Sequence, residues 1–174
     1  MARLALIGFM GSGKSTTGPV LANRLGYAYV DTDVLIERIS GATVSQIFME
    51  SGEEAFRRIE THALENALFE DDIVLSCGGG VVLKDENRAL LKDHAVVIYL
   101  KITADEVFAR VGRTGHQRPL LDAEDPLAEI ERLLEAREPL YMELADIVID
   151  TAGKSEAAIV EEIIEELHGK EIEL

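Results

Sequence analysis

Short apolar segments alternate along the chain with longer segments in which apolar residues recur every three or four positions. The short segments predict strands over residues 3–7, 28–30, 73–76, 96–100 and 147–149. The longer segments between them predict helices. Because strands that alternate with helices pair in parallel, we expect an α/β fold with helices on both faces of a parallel sheet. Such sheets bind ligands at the carboxyl ends of their strands.

Polar capping residues mark where several helices begin. These residues are Thr43, Ser51, Thr103, Asp125 and Ser155. The helix that Ser51 opens has a predicted buried edge, repeated every four residues, formed by Ala55, Ile59, Ala63 and Ala67. Pro19 falls beyond the first turn of the helix predicted over residues 15–25. A proline there removes one hydrogen bond, and we expect it to bend the helix.

Residues 8–15 read Gly-Phe-Met-Gly-Ser-Gly-Lys-Ser, the G-x-x-x-x-G-K-S pattern of a phosphate-binding loop. Glycines let successive backbone N–H groups face an anion, and the following helix points its positive end at the same place. Lys14 adds a charge for the β- and γ-phosphates, and the Ser15 hydroxyl is an oxygen ligand for Mg²⁺. The flanking strand and helix favour nucleotide binding over a glycine-rich turn without a ligand. The predicted nucleotide-binding residues here are Gly11, Ser12, Gly13, Lys14, Ser15 and Thr16.

Two aspartates follow the second predicted strand, at the same edge of the sheet as the phosphate-binding loop. Asp31 is placed to hold the water shell of Mg²⁺, as the acid of a neighbouring strand does in such enzymes. Asp33 is placed to accept a proton from an acceptor hydroxyl. The alternative is that Asp31-Thr32-Asp33 caps the next helix. The spacing does not choose between the two roles, which are not exclusive.

Arginines and glycines recur where this fold brings them near the same edge. Arg57 and Arg58 point about 100° apart on their helix, so one can reach the cleft while the other lies on the surface. A pair of solvated arginines is the alternative. The glycine triplet at residues 78–80 follows the third strand. Three glycines there indicate either that the backbone closely approaches a ligand or that the chain makes a tight turn.

Acidic residues dominate the composition, and the formal net charge is −16. This charge argues against a nucleic-acid partner, because phosphate backbones need a basic face. A site that binds an anion must therefore be a local cluster of positively charged side chains within a negatively charged surface. The glycine-flanked basic segment 112–121 suits a lid that closes over phosphates. The residues that can contribute positive charge to this cluster are Lys14, Arg57, Arg113, Arg118 and Arg137.

The remaining composition predicts a single-domain cytoplasmic enzyme spanning residues 1–174. With 47% hydrophobic residues, the chain can bury one good core. Its one cysteine, Cys77, excludes an intramolecular disulfide and fits a reducing compartment. The N-terminus enters a strand almost at once, so we expect no signal peptide. No apolar run approaches the length of a membrane span, and we expect no membrane partner.

With these motifs, the chain closely resembles the shikimate kinases, a family in the nucleoside-monophosphate-kinase-like group of phosphate-loop (P-loop) enzymes. The resemblance covers nearly the whole chain and rests on six motifs in order, at residues 8–15, 31–33, 56–60, 78–80, 118–121 and 137–141. It implies a three-layer sandwich with a five-stranded parallel sheet, a short lid over roughly residues 112–124 and a substrate-binding helical region over roughly residues 33–61. The implied reaction, a step of aromatic amino-acid biosynthesis, moves the ATP γ-phosphoryl group to the 3-hydroxyl of shikimate, with Mg²⁺ as cofactor.

The resemblance also implies roles on the substrate side of the site. Arg57 and Arg137 would grip the shikimate carboxylate, a pairing that planar guanidinium groups make well. Asp33 would bind the ring hydroxyls and act as the base. The three glycines that would offer backbone to the ring are Gly78, Gly79 and Gly80.

On the nucleotide side, the resemblance implies that Arg118 and Lys14 stabilise charge on the moving phosphoryl group. Arg113 would lie against adenine, opposite Lys154 in the loop after the fifth strand. Members of this family often carry a basic residue at the position that Pro19 occupies in this chain. The implied assembly is a monomer whose partners are ATP and shikimate.

Two other functions are compatible with parts of this pattern. The nearer one is a kinase for another small hydroxy acid, such as gluconate, but Arg57, Arg137 and the glycine triplet favour shikimate. The remoter one is a nucleotide-binding module that has lost catalysis. That hypothesis requires a damaged site, whereas the predicted catalytic residues Lys14, Asp33 and Arg118 are all present.

Overall fold

Five parallel strands form one sheet in the computed structural model, which describes residues 2–111 and 125–172. The strands are β1 (Arg3–Ile7), β2 (Ala28–Asp31), β3 (Ile73–Ser76), β4 (Val96–Lys101) and β5 (Ile147–Asp150). Their order across the sheet is β2-β3-β1-β4-β5. Leu6 of β1 pairs with Ser76 of β3, which pairs with Asp31 of β2. The segments that leave these three strands therefore begin side by side.

Seven helices lie between and after the strands in the described part of the chain. They are α1 (Lys14–Leu25), α2 (Thr32–Ser40), α3 (Val44–Leu68), α4 (Asp85–His94), α5 (Ala104–Val111), α6 (Pro126–Leu144) and α7 (Glu156–Gly169). A short 3₁₀ helix, Val81–Leu83, precedes α4. Side chains of Thr43, Asp125 and Ser155 accept hydrogen bonds from backbone N–H groups of the helices that they open, as predicted. No helix in the described part of the chain is long and apolar enough to cross a membrane.

Alternating β1 side chains divide the core between the two faces of the sheet. Leu4 and Leu6 pack with residues of α1 and α7. Ala5 and Ile7 pack on the opposite face with residues of α3, α4, α5 and α6. The predicted three-layer α/β fold with a five-stranded parallel sheet is therefore confirmed, and each strand end lies within one residue of its predicted position.

Helix α3 departs from the sequence prediction in two ways. Ser51 was predicted to open a helix, but it lies within α3. The backbone of α3 is kinked at the next residue, Gly52, with φ 79° and ψ 173°. The second half of the predicted buried edge, Ala63 and Ala67, is buried. Ala55 and Ile59 are only half-buried, and the buried face includes Phe56 and Glu60 instead. The hydrophobic pattern did not predict a buried Glu60, because a glutamate is normally expected on the surface. Glu60 is buried together with an ionic partner.

Helix α1 continues through Pro19 from Lys14 to Leu25. Proline leaves the Ser15 carbonyl without its usual helical donor. Ser15 and Pro19 are both exposed, so water can replace the missing hydrogen bond.

Gly18 sets how closely α1 approaches the sheet. A Cβ atom at this buried position would lie 2.5 Å from Tyr29 Cε2 and 3.0 Å from Ser76 Oγ. The Ser76 hydroxyl also donates to the carbonyl of Lys14, at 2.9 Å. The lack of a side chain at Gly18 therefore lets the first turns of α1 rest on β2 and β3.

We expect Gly18→Ala to lower the free energy of unfolding by about 1–3 kcal/mol, because overpacking outweighs the gain in helix propensity. Urea denaturation measures the change. Gly169→Ala is the matched control, since a Cβ atom there meets no atom within 4 Å. It should leave stability unchanged or slightly higher. Equal midpoints for both variants would show that α1 has room to move.

Candidate active site

A cleft of about 1150 Å³ opens at the carboxyl ends of the strands. It brings together every predicted site residue in the described part of the chain: Gly11, Ser12, Gly13, Lys14, Ser15, Thr16, Asp31, Asp33, Arg57, Gly78, Gly79, Gly80, Arg137 and Lys154. The predicted lid, residues 112–124, lies outside the described residues, and so do Arg113 and Arg118 within it.

The loop between β1 and α1 folds as a phosphate-binding loop requires. Gly8 has a φ of 146°, and a Cβ atom there would lie 2.6 Å from the Leu100 carbonyl oxygen. Gly13 caps α1 with a φ of 95°. The Lys14 ammonium group donates to the carbonyls of Gly8 and Phe9, at 2.8 and 2.9 Å. These bonds hold its charge against the inner face of the loop, beside the N-terminus of α1.

Asp31 is at once a helix cap and a neighbour of the phosphate-binding loop. Its Oδ1 accepts hydrogen bonds from the backbone N–H groups of Asp33 and Val34, which opens α2. Its Oδ2 lies 3.2 Å from the Ser15 hydroxyl and 3.3 Å from the Tyr29 hydroxyl. The cap predicted as one alternative is therefore present, and the Mg²⁺ role stays a prediction. The cap uses one carboxylate oxygen, and the other faces the loop.

Asp33 lies in the cleft next to the first glycine of the triplet. A Cβ atom on Gly78 would be 3.1 Å from Asp33 Oδ1, and the Gly78 N–H donates to the Thr32 hydroxyl at 3.0 Å. Burial raises the pKa of the Asp33 carboxyl above its usual value, and the nearby charge of Asp31 raises it further. Although the side chain is open to the cleft, the atoms packed around its carboxyl group limit its hydration.

Arg57 is the arginine of its pair that faces the cleft. Its guanidinium lies against Gly80, where a Cβ atom would come within 2.3 Å of Nη2. It donates to buried Glu60 at 2.8 Å and lies 3.2 Å from Glu53. Arg58 is 67% exposed and pairs with Glu54 on the surface. One arginine of the pair therefore reaches the cleft while the other lies on the surface, as predicted.

Glu60 is a cleft residue to which the sequence analysis gave no role. Its side chain is 1% exposed, and burial raises the pKa of its carboxyl group while the charge of Arg57 opposes that rise. Oε2 accepts from Arg57, whereas Oε1 has no hydrogen-bond partner among the described residues. A Cβ atom on Gly78 would lie 3.3 Å from Oε1. The signal in the sequence was a glutamate placed to pair with an arginine on the same helix. A hydrophobic pattern does not reveal it, because that pattern places glutamates on the surface.

Arg137 approaches the cleft from α6. Its guanidinium carbon lies 5.6 Å from the ring centre of Phe9 in the phosphate-binding loop. One turn later, the hydroxyl of buried Tyr141 donates to the Gly79 carbonyl. Burial raises the pKa of Tyr141 to about 12, against the opposing effect of Arg137. Tyr141 therefore remains a protonated donor that fixes the glycine triplet.

Two further cations, Arg110 and Lys154, line the cleft. Lys154, which the resemblance placed near adenine, pairs with Glu162 at 2.5 Å. Arg110 was not predicted; it donates from α5 to the Gly11 carbonyl at 2.9 Å. Its position in the last turn before the basic segment was the available signal.

Comparisons with known proteins place the whole chain in one family. A sequence model of the family described as shikimate kinase matches residues 10–168. The shikimate kinase of Chromobacterium violaceum is 41% identical over 162 residues, which cover 93% of this chain and 88% of that protein. The shikimate kinase of Thermodesulfovibrio yellowstonii is 42% identical over 166 residues, which cover 95% of each. The chain belongs to the shikimate kinase family.

Solved structures of shikimate kinases superpose on nearly the whole chain. The enzyme of Acinetobacter baumannii, in complex with shikimate, has a TM-score of 0.93, with 35% identity over 99% of this chain and 96% of that chain. The enzyme of Aquifex aeolicus has a TM-score of 0.86 at 32% identity, over 98% of each chain. A gluconokinase of Sinorhizobium meliloti, at TM-score 0.58 and 16% identity over 97% of each chain, shares the fold alone.

We expect Asp33→Asn to become more stable relative to the wild type as the pH rises from 4 to 8. The pKa of Asp33 is raised above its value near 4 in an unfolded chain, so the folded state binds more protons there. Wild-type stability therefore falls as the pH rises from about 4 through the raised pKa, and the amide variant lacks this loss. Thermal unfolding at a series of pH values measures the difference.

Asp105→Asn is the matched control for this measurement. Asp105 is exposed and, like Asp33, is the second residue of its helix. The control corrects for the helix dipole and for removing one negative charge from a chain of net charge −16. A relative loss of stability for Asp33→Asn with rising pH would mean that the fold stabilises the Asp33 carboxylate.

Proposed function

We propose that the chain transfers the γ-phosphoryl group of ATP to the 3-hydroxyl of shikimate. The observation that carries the proposal is the cleft in which the phosphate-binding loop meets Asp33 and the two arginines, Arg57 and Arg137. A polyphosphate fits the loop, and a hydroxy acid fits the aspartate and the guanidinium groups. The structure of a shikimate kinase with shikimate, at TM-score 0.93, supports shikimate as that acid.

On the nucleotide side, the loop residues 11–16 would bind the phosphates with their backbone N–H groups and with Lys14. Ser15 Oγ and Asp31 Oδ2, 3.2 Å apart, suit Mg²⁺, which takes few protein oxygens and keeps phosphate and water ligands. The ion, when bound, would neutralise charge on the β- and γ-phosphates. Within the described residues no cluster of three His, Cys, Asp or Glu side chains offers another metal site.

On the acceptor side, Asp33 would receive the proton of the attacking hydroxyl. Its raised pKa makes it a better proton acceptor than an ordinary carboxylate. Oε1 of Glu60, which has no partner among the described residues, is an acceptor for a further hydroxyl or a water molecule. Phosphoryl transfer passes through a loose transition state, so orientation and charge contribute more than proton removal does.

Arg57 and Arg137 would bind the carboxylate of the acceptor. Arg57 is already oriented by Glu60 and Gly80, which reduces the entropy lost on binding. Arg137 makes no ion pair with a carboxylate in the described part of the chain, and the substrate would supply one. The backbone of residues 78–80 would lie along the ring.

The remaining assignments complete the proposal. Roughly residues 112–124 would be the lid, and Arg118 would act on the transferred phosphoryl group, with Arg113 against adenine opposite Lys154. Residues 33–61 form the substrate-binding region of a single domain, and Lys14, Asp33 and Arg118 are catalytic. We expect a monomer that works in the cytoplasm.

A coupled ADP-release assay with Mg-ATP tests the activity directly. We expect turnover with shikimate and none with gluconate at the same concentration, and a product that ³¹P NMR identifies as the 3-phosphate ester. Lys14→Met is the control for contaminating kinases. It should lower turnover by about a hundredfold or more, because the γ-phosphate loses its main cation.

The outcomes of this assay separate the three hypotheses. Turnover of gluconate but not of shikimate would identify a kinase of another hydroxy acid. ATP binding with no turnover of either acid would indicate a non-catalytic module. Equal ADP release by wild type and Lys14→Met would assign the activity to a contaminant.

Arg137→Ala should raise the KM for shikimate about 10- to 100-fold, which corresponds to the loss of one charge-assisted hydrogen-bonding group. The KM for ATP should change little. Arg58→Ala is the control, because Arg58 is exposed and pairs with Glu54 outside the cleft. Equal increases in both KM values for Arg137→Ala would place this arginine at the nucleotide instead.

A further inference from the structure

A buried amide lies behind the wall that Arg57 and the glycine triplet form. Asn87, on α4, is fully buried. Its Nδ2 donates to the Val81 carbonyl at 3.1 Å and to Glu60 Oε2 at 3.4 Å. Its Oδ1 lies 2.8 Å from the Thr61 hydroxyl. One side chain therefore joins α4 to α3 and to the 3₁₀ helix that follows the glycine triplet.

The chemistry of the surroundings explains why this position holds an amide. A buried polar side chain costs free energy unless its donors and acceptors are bonded. Asn87 meets that requirement with both ends of its amide, and Glu60 requires a donor there because its carboxylate is equally buried. Arg57 and Asn87 are the two donors to Glu60 Oε2 among the described residues.

The network continues to the surface through Thr61. The Thr61 hydroxyl lies 2.9 Å from the Arg57 carbonyl and accepts from the Lys84 ammonium group at 3.0 Å. Lys84 in turn pairs with Glu86 at 3.1 Å. The backbone of Arg57 and its carboxylate partner are thus held by neighbouring members of one network.

We propose that Asn87 is a positioning residue for the substrate carboxylate, acting through Glu60 on the Arg57 guanidinium and through Val81 on the glycine triplet. This inference rests on the proposed function. Asn87 itself lines none of the cleft. Its contribution is to keep Glu60 in the rotamer that presses Arg57 against Gly80, so that the guanidinium is oriented before the substrate arrives.

The test compares Asn87→Leu with the wild type in steady-state kinetics. Leucine has a similar volume and no polar group, so it removes the bonds to Glu60, Val81 and Thr61 without adding charge. We expect the KM for shikimate to rise about tenfold, as losses of second-layer support commonly do, and the KM for ATP to stay within about twofold. Isothermal titration with shikimate should show the same fold-change in Kd.

Asn66→Leu is the matched control, because Asn66 is exposed on α3 and contacts His62 rather than the cleft. Its two KM values should match those of the wild type. A purely structural role for Asn87 would lower the unfolding temperature and the active fraction, and hence the apparent kcat. It would leave the KM for shikimate unchanged, and that result would overturn the inference.

A second variant keeps the inference testable if Asn87→Leu does not fold. Thr61→Val removes one hydroxyl from the same network, and the KM for shikimate should rise in the same direction by a smaller factor. An unchanged KM in Thr61→Val would then reject the inference. If the wild type itself does not phosphorylate shikimate, the proposed function fails first, and the two failures are distinguishable.

Discussion

A parallel sheet brings the carboxyl ends of its strands to one edge, and the site of this chain depends on that constraint. Leu6, Ser76 and Asp31 lie in one row across β1, β3 and β2. The phosphate-binding loop, the glycine triplet and the acidic end of β2 therefore leave the sheet as neighbours. Sequence separation of tens of residues becomes contact because the sheet fixes the starting point of each segment.

Close approach at this edge needs positions without side chains. Gly18 lets α1 rest on β2 and β3, Gly8 passes the Leu100 carbonyl, and Gly80 receives the Arg57 guanidinium. The buried Glu60 then makes the desolvated arginine tolerable by supplying its counter-charge. In a chain of net charge −16, this local pairing is how a cation is kept at an anion site.

The sequence predicted the parts of the site that lie within one motif or at one strand end. These residues are Lys14, Ser15, Asp31 and Asp33, and all four line the cleft. The sequence missed Arg110 because its partner, the Gly11 carbonyl, lies 99 residues away in the chain. It missed Glu60, although Arg57 is only three residues away, because a glutamate is expected on the surface and the burial of this one depends on the packing around α3. It also left Glu60 out of the buried face of α3, since a hydrophobic pattern cannot recognise a charged residue buried by pairing.

By itself, the sequence determined the strand and helix order, the phosphate-binding loop and the family to which the chain belongs. Those features are written in local patterns, where the physics acts between residues a few positions apart. The tertiary structure alone decided that Glu60 is buried as the partner of Arg57, and that Asn87 meets Glu60 from 27 residues away. Such contacts depend on how α3 and α4 pack against each other, and packing is a property of the whole core rather than of any one segment.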